Sequence, residues 1–260
     1  MLKRLKEFKN KKVLITGHNG FKGSWLTIWL NLLGAKVVGI SLKNKEKHNH
    51  FNLVKNKIKV KSYFFDICNK KKIEQVIHKE QPDYIFHLAA QSIVYKSILN
   101  PRFNWETNVI GLFNLLESIK KLNKKCCGII ITSDKCYKNL EVRRGYKETD
   151  VLGGVDPYSA SKASAEILFH SYYETFIKNK KKNIRLCTAR AGNVIGGGDW
   201  SNNRLIPDCM KMWLKNKSPV IRNPNSTRPW QHVLEALSGY LELALKLNKS
   251  HKISGTSFNF

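Results

Sequence analysis

The chain has 260 residues, of which 42% are apolar, so it can build one substantial domain, or one domain with a small appendage, and wholesale disorder is excluded. No run reaches the roughly 18 uninterrupted apolar residues that a membrane-spanning helix needs. The basic N-terminus leads directly into a short strand and a glycine, which is not the pattern of a signal peptide. The 6 cysteines show no CxxC spacing. We therefore expect reduced thiols in a cytoplasmic protein, without disulfides or a metal site.

The formal net charge of +27 raises the possibility of a nucleic-acid partner. The basic residues, however, are 37 lysines and only 9 arginines, and they are scattered along the chain. Proteins that bind bases and phosphates usually rely on the planar, bidentate guanidinium of arginine. The lysine excess is therefore interpreted as solvated surface, and no nucleic-acid partner is expected.

Short apolar runs alternate with helical patterns along the first 190 residues. The runs predict strands over residues 12–16, 35–41, 58–67, 83–90, 128–133 and 183–190, with a polar loop after the second. Helical periodicity covers residues 23–34, 69–80, 105–122 and 157–177. Parallel strands need crossover helices, and strands covered on both faces are continuously apolar. The pattern therefore predicts an α/β fold, a Rossmann-type doubly wound parallel sheet.

The composition changes after residue 190. Residues 191–203 are rich in Gly, Asn and Asp, which predicts a loop. Beyond it the pattern predicts helices over 205–214 and 228–245, a short strand at 219–222, and the beginning of a strand within 254–260. We expect a dinucleotide-binding domain at 1–190 that carries the catalytic residues. Residues 191–260 would form a small, incomplete substrate-binding lobe, interleaved with the first domain.

A glycine-rich segment, Gly17 to Gly23, follows the first strand and opens a helix. The first glycine permits a tight turn, the second lets the backbone approach a pyrophosphate, and the third permits close packing of helix on sheet. The helix N-terminus adds unpaired N–H groups for the phosphates. The predicted cofactor contacts in this segment are Gly17, His18, Asn19, Gly20, Phe21 and Lys22.

Two further strand ends are expected to contact the same cofactor. Asp66 and Ile67 end the third strand, where a carboxylate could accept a hydrogen bond from an adenine amino group. Leu88, Ala89 and Ala90 end the fourth, where small side chains let backbone lie against the cofactor. The choice between NAD and NADP stays open on the residues alone, because the second strand ends without an acidic residue.

Tyr158 and Lys162 have the i, i+4 spacing that places both on one face of a helix. A nearby ammonium favours tyrosinate, so we expect a lowered pKa for the Tyr158 phenol, which would make it a usable base. Ser133 ends the fifth strand of the predicted sheet. Together these residues predict a catalytic site beside the dinucleotide.

The glycine motif, Ser133 and the YxxxK spacing together resemble the extended short-chain dehydrogenase/reductase family. The segments GHNGFKGSWL, HLAAQ, TSDKCY, YSASKASAE, AGNVIGGGDW and RPWQHV resemble its CDP-glucose 4,6-dehydratase branch, over essentially the whole chain. The resemblance implies NAD as the cofactor and CDP-glucose as the substrate. The implied reaction is oxidation at C4, loss of water across C5 and C6, and return of the hydride to C6, as in O-antigen sugar synthesis.

The resemblance also implies individual roles. Tyr158 would take the proton of the 4-hydroxyl, Ser133 would hydrogen-bond the ketone, and Asp134 would protonate the leaving 6-hydroxyl. Lys135 could accept the C5 proton, stabilise the enolate, or simply be a solvated lysine. The expected substrate contacts are Gln91, Asn193, Arg204 and Arg228, whereas Trp230 could equally pack in the core.

Three alternatives remain open at this stage: a dehydratase for another sugar nucleotide, an epimerase, and an inactive NAD-binding protein. The last has weight because family members normally continue further than residue 260. The family also forms homodimers through a four-helix bundle, which here would use residues 105–122 and 157–177. The apolar residues that could serve that face, or pack on the sheet instead, are Leu112, Leu115, Leu116, Ile167, Leu168 and Tyr172.

Overall fold

The computed structural model describes residues 2–44, 49–221 and 223–260. Its strands are β1 (Lys12–Thr16), β2 (Lys36–Ser41), β3 (Val60–Phe64), β4 (Tyr84–His87), β5 (Cys126–Ile131), β6 (Ile184–Arg190), β7 (Asn193–Ile195), β8 (Trp230–His232) and β9 (Ser257–Asn259). Its α-helices are α1 (Leu2–Leu5), α2 (Phe21–Leu32), α3 (His50–Val54), α4 (Lys70–Glu80), α5 (Val94–Leu99), α6 (Pro101–Trp105), α7 (Gly111–Lys120), α8 (Pro157–Tyr172), α9 (Leu205–Trp213) and α10 (Val233–Lys249). Two π-helical segments, Glu106–Ile110 and Tyr173–Ile177, and three 3₁₀ turns, Lys6–Phe8, Lys55–Lys57 and Asp134–Cys136, complete the helical elements of the described residues.

Seven of the described strands form one parallel sheet in the order β3-β2-β1-β4-β5-β6-β9. The predicted doubly wound parallel sheet is therefore confirmed. The strand order reverses between β1 and β4, where Ile15 lies opposite Phe86. Loops leave in opposite directions at such a reversal and open a crevice at the carboxyl ends of the strands.

Helices cover both faces of the sheet. On one face α2 and α10 pack against Val13 and Ile15 of β1. On the other face α4, α7 and α8 pack against Leu14 of the same strand. Alternate side chains of a strand point to opposite faces, so β1 carries apolar residues on both faces, from Val13 to Ile15. This burial fixes the strand ends, and with them the side chains that follow each strand.

Several element boundaries differ from the predictions. The helix expected over 105–122 begins at Pro101, because Pro at the first helical position is preorganised and Asn100 caps the N-terminus. The strand expected at 219–222 is wrong for 219–221, which are irregular, and residue 222 lies outside the described residues. The helix expected from 228 begins only at Val233, after strand β8.

The last part of the chain returns to the sheet. Helix α10 packs against β5 and β6, and β9 pairs with β6. The strand predicted within 254–260 is therefore present, as an edge strand of the main sheet. The division at residue 190 stays a prediction.

The polar loop expected after β2 lies partly outside the described residues, at 45–48. None of the described helices combines the length and apolar content that a bilayer crossing requires.

Candidate active site

A cavity of about 940 Å³ opens at the carboxyl ends of the strands. It lies where the strand order reverses between β1 and β4, with the glycine loop on one side and residues 191–210 on the other. This is the position at which open α/β sheets bind their ligands. Of the predicted site residues, the cavity is lined by Gly17, Asn19, Gly20, Phe21, Lys22, Asp66, Ile67, Leu88, Ala89, Ala90, Gln91, Ser133, Asp134, Lys135, Tyr158, Lys162, Asn193 and Arg204.

The glycine loop has the conformation that the motif predicts. Gly17 has φ +75°, and a Cβ there would lie 2.8 Å from the backbone nitrogen of Ala89. A Cβ at Gly23 would lie 2.0 Å from the carbonyl oxygen of Gly17, so only glycine lets the helix approach the turn. Gly20 caps α2 without any side-chain hydrogen bond. The first N–H groups of α2 can therefore bind phosphate oxygens.

His18 does not face the cavity with its side chain. The ring is fully buried beneath the loop, with Nδ1 2.7 Å from Ser41 Oγ and Nε2 3.0 Å from Ser62 Oγ. It lies against Gly39, where a Cβ would come within 2.3 Å of the ring. Burial lowers the pKa of His18 to about 4, so the imidazole is neutral at pH 7. His18 does not line the cavity, and its predicted contact with a cofactor stays a prediction.

The strand ends provide a further wall of the cavity. Asp66 accepts a hydrogen bond from the Cys68 amide at 2.8 Å, which fixes the carboxylate at the end of the third strand region. Thr107, which the sequence analysis missed, also lines this cavity. Its side chain is buried, and its hydroxyl finds no hydrogen-bond partner among the described residues. A threonine inside a helical pattern gives no sequence signal, and its position follows from the π-helical segment.

Ser133, Asp134 and Tyr158 come together as predicted. Ser133 Oγ donates to Asp134 Oδ1 at 3.0 Å and accepts from the Lys135 amide at 3.3 Å. Tyr158 lies in the first turn of α8, whose N-terminus is capped by the side chain of Asp156. The cap and Pro157 fix the start of the helix and so the direction of the phenol. A hydroxyl, a carboxylate and a phenol thus share one wall of the cavity.

The expected lowering of the Tyr158 pKa is not observed. Burial raises the pKa of Tyr158 to about 12, and its hydrogen bond with Ser133 only partly opposes this rise. Lys162 Nζ lies 3.5 Å from the carbonyl oxygen of Ile131. Burial lowers the pKa of Lys162 to about 8, so its ammonium group loses a proton more readily than that of an exposed lysine. Desolvation dominates both groups, a balance that spacing along a helix could not indicate.

Cations dominate the charge of the cavity wall. Burial lowers the pKa of Lys22 to about 8, and the positive charges of Lys162 and Arg204 lower it further, whereas Asp134 opposes the shift. The residues that line the cavity include five cationic side chains, Lys22, Lys96, Lys135, Lys162 and Arg204, against three carboxylates, Asp66, Asp134 and Asp199. Since like charges destabilise one another, an anionic ligand such as a diphosphate would be stabilised here.

Residues within 191–210, together with Trp230, form the outer wall. Arg204 donates to Asp199 at 2.8 Å and to Ser92 at 2.9 Å, which holds its guanidinium at the cavity. Asn193 lies on β7 and also lines it. Trp230 lines the cavity while 41% exposed, so the core-packing alternative is wrong.

Two predicted substrate contacts differ from expectation. The Gln91 side chain is buried, accepts from the Ile93 amide at 2.6 Å and donates to the Ile93 carbonyl at 3.0 Å. Its amide therefore closes the local loop, because a buried polar group is stable only when hydrogen-bonded. Arg228 is exposed and does not line the cavity. Both were predicted from the motif alone, which does not show where a side chain points.

Residues 14–256 match the GDP-mannose 4,6 dehydratase family. CDP-glucose 4,6-dehydratase of Salmonella typhimurium is 41% identical over 256 residues, which are 97% of this chain and 71% of that protein. dTDP-D-glucose 4,6-dehydratase of Dictyostelium discoideum is 29% identical over 244 residues, covering 88% of this chain and 54% of that protein.

The solved structures agree on the fold. An epimerase from Methanothermobacter thermautotrophicus superposes with a TM-score of 0.84 at 22% identity, over 99% of this chain and 74% of that one. DesIV, a dTDP-glucose 4,6-dehydratase of Streptomyces venezuelae solved with NAD, gives a TM-score of 0.80 at 23% identity, over 95% and 74% of the two chains. With the glycine loop, Ser133 and the Tyr158–Lys162 pair around one cavity, the chain belongs to the GDP-mannose 4,6-dehydratase family.

Proposed function

We propose that this chain is an NAD-dependent sugar-nucleotide 4,6-dehydratase that converts CDP-glucose to CDP-4-keto-6-deoxyglucose. The observation that carries the proposal is the position of Asp134, beside Ser133 and close enough to Tyr158 to affect its pKa. An epimerase or a reductase needs the serine and the tyrosine, but only a dehydratase needs an acid for the departing hydroxyl. The likeness to the Salmonella relative supports CDP-glucose as the substrate.

The cavity fits NAD. The turn at Gly17 and the uncapped N-terminus of α2 suit a pyrophosphate, and Asp66 suits an adenine amino group. DesIV and a dTDP-glucose 4,6-dehydratase from Bacillus anthracis were both solved with NAD. When bound, NAD supplies a hydride acceptor for the sugar and returns the hydride later in the cycle.

Side chains of the protein would accept and donate the protons of the reaction. Tyr158, in its tyrosinate form, would accept the proton of the 4-hydroxyl, and Ser133 would hydrogen-bond the oxygen as it becomes a ketone. The 4-ketone makes the C5 proton acidic, and Asp134 would protonate the 6-hydroxyl so that it leaves as water. Lys135 is half-buried at the same wall, placed to accept the C5 proton or to stabilise the enolate.

The direct test is turnover by the purified chain supplied with NAD. CDP-glucose, dTDP-glucose, GDP-mannose and UDP-glucose are incubated in parallel, and each product is examined by mass spectrometry and by the alkaline absorbance of a 4-keto sugar. We expect CDP-glucose alone to lose one water. Loss of water from another sugar would overturn the proposed substrate, and epimerised product without loss of water would overturn the reaction.

The variant Asp134→Asn separates dehydration from oxidation. We expect it to lower the rate of water loss by about 10²-fold or more while the nicotinamide is still reduced by substrate, because only the acid is removed. The isosteric amide keeps the hydrogen bond with Ser133. No turnover by the wild-type chain of any sugar, with NAD bound, would instead support the inactive NAD-binding alternative.

A homodimer and a cytoplasmic location are also part of the proposal. Four of the apolar residues considered for a dimer face, Leu112, Leu115, Leu116 and Tyr172, are buried in the core below α7 and α8. Another set is exposed on α5 to α8 and the π-helical segment: Ile98, Leu99, Phe103, Trp105, Ile110, Phe113 and Ile167. Such a patch supports association with a second copy. The six free thiols support a reducing compartment.

The double variant Ile110→Glu/Ile167→Glu should make the protein monomeric. Both side chains are about half exposed, at 49% and 59%. Burying two unpaired carboxylates in an interface should raise the dimer dissociation constant by about 100-fold or more. Light scattering at several concentrations measures this. Leu32→Glu is the control, because Leu32 is 82% exposed on α2, on the other face of the sheet. A wild-type chain that is already a monomer would contradict the dimer.

A further inference from the structure

A buried carboxylate lies one helical turn beyond Lys162. Glu166 is fully buried on α8 and accepts hydrogen bonds from four groups. Thr132, the residue directly before Ser133, donates to one carboxylate oxygen. The other oxygen accepts from Arg190 at 2.7 Å, Thr188 at 2.9 Å and Ser257 at 3.0 Å. A single side chain thus joins α8 to the ends of β5, β6 and β9.

Arg190 contacts the other end of the segment from Ser133 to Cys136, which contains the residues proposed to be catalytic. Its guanidinium donates to the Tyr137 hydroxyl at 2.7 Å and to the carbonyl of Glu148 at 3.1 Å. Tyr137 follows the 3₁₀ turn that contains Asp134. The residues just before and just after 133–136 are therefore both tied to one ion pair, the first through Glu166 and the second through Arg190.

The charge of this pair also acts on Lys162. Burial alone raises the pKa of Glu166, but Arg190 and the hydroxyls of Thr132 and Thr188 outweigh it and hold the pKa below its usual value. The resulting anion raises the pKa of Lys162 against the effect of burial. The other titratable groups around Lys162 are Tyr158 one turn earlier on α8, Cys136 on the 3₁₀ turn, Lys22 on α2 and His87 on β4.

We propose that Glu166 and Arg190 are positioning residues of the reaction. They clamp the segment Ser133 to Cys136 at both ends and join it to the helix that carries Tyr158 and Lys162. Neither residue lines the cavity, so neither touches the substrate. Their effect on turnover is exerted through Ser133, Asp134 and Lys162. This inference rests on the proposed dehydratase function, since it assigns those three residues their roles.

Two threonines provide a matched test. Thr132→Val and Thr188→Val each remove one hydroxyl from the same carboxylate, but only Thr132 adjoins the catalytic segment. We expect Thr132→Val to lower kcat by about tenfold or more through misplacement of Ser133 and Asp134, with KM little changed. Thr188→Val should leave kcat within about twofold of the wild type, as expected for a site away from the reacting atoms.

Amide hydrogen exchange measured by NMR gives a readout that does not need turnover. The Asp134 amide donates to the carbonyl of Ala191 at 3.2 Å, so its exchange reports the order of the segment. Thr132→Val should speed this exchange by about tenfold, the effect of losing one hydrogen bond to a charged group, and Thr188→Val should not. If the wild-type chain turns over no sugar, the proposed function fails, and the exchange rates alone decide the present inference.

The charge is tested with Glu166→Gln against Glu80→Gln. Glu80 is also a buried, paired carboxylate. It forms ion pairs with Lys12 at 3.3 Å and with Lys61 at 2.6 Å, but it lies at the opposite end of the sheet from the cavity. Without the Glu166 charge the pKa of Lys162 falls further. Lys162 then loses its proton at a lower pH, so the alkaline limb of the pH profile of kcat/KM should move to lower pH. Glu80→Gln should lower the thermal midpoint without moving that limb. Equal kcat and equal exchange for the two threonine variants, or an unmoved limb in Glu166→Gln, would overturn the proposal.

Discussion

Tyr158→Phe should lower kcat for CDP-glucose by about 10²–10⁴-fold, the range expected when a positioned general base is removed. The phenol is 7% exposed, lines the cavity and is close enough to Ser133 for this residue to lower its pKa against the effect of burial. The change deletes one oxygen and leaves the ring, so NAD affinity and KM should change little. Initial rates of 4-keto sugar formation, with calorimetric titration of NAD, measure both quantities.

The matched control for this prediction is Tyr240→Phe. Tyr240 is also a fully buried phenol, and its hydroxyl finds no hydrogen-bond partner among the described residues. It does not line the cavity. Removing its hydroxyl should therefore leave kcat unchanged. If both variants turned over CDP-glucose as fast as the wild type, Tyr158 would not be the base, and another group would have to take the proton of the 4-hydroxyl.

The residues that the sequence placed correctly are those that follow strands or begin helices. Asp66, Ala89 and Ser133 come after three different strands, and the carboxyl ends of parallel strands meet at one edge of a sheet. The alternation of strands and helices therefore predicts that these residues share a cavity, although they are distant along the chain. The Tyr158–Lys162 pair was equally accessible, because both residues lie within one helical turn.

The side chains that the sequence did not place depend on contacts between distant segments. The ring of His18 lies under the loop because Gly39 leaves room for it and two serines on neighbouring strands hydrogen-bond it. Glu166 and Arg190 are 24 residues apart and meet only in the folded chain, where their ion pair joins α8 to the end of β6. Neither the composition nor the spacing of residues along the chain predicts such pairs. The pKa values of Tyr158 and Lys162 share this limit, because burial sets them.

The second large effect is expected at the turn of Gly17, which we propose binds the cofactor. Gly17→Ala should weaken NAD binding by about tenfold or more, because a positive φ and a close backbone contact are both strained by a Cβ. At φ +75° the new carbon would lie 2.8 Å from the Ala89 nitrogen. The loop must move away from Ala89 to relieve this contact. The N–H groups at the start of α2 then no longer point at a bound pyrophosphate.

Gly145→Ala is the matched control for that turn, since a Cβ there meets nothing within 4 Å and the residue lies outside the cavity. Calorimetric titration with NAD should give the wild-type affinity for Gly145→Ala and a weakened one for Gly17→Ala. The thermal midpoint should fall for Gly17→Ala as well, because the strain is present without ligand. A lowered midpoint with unchanged NAD affinity would show that the turn stabilises the packing of β1 against β4 and that the pyrophosphate is bound elsewhere. The assignment of this loop as the cofactor site therefore depends on the affinity, and the stability measurement separates the two roles of the glycine.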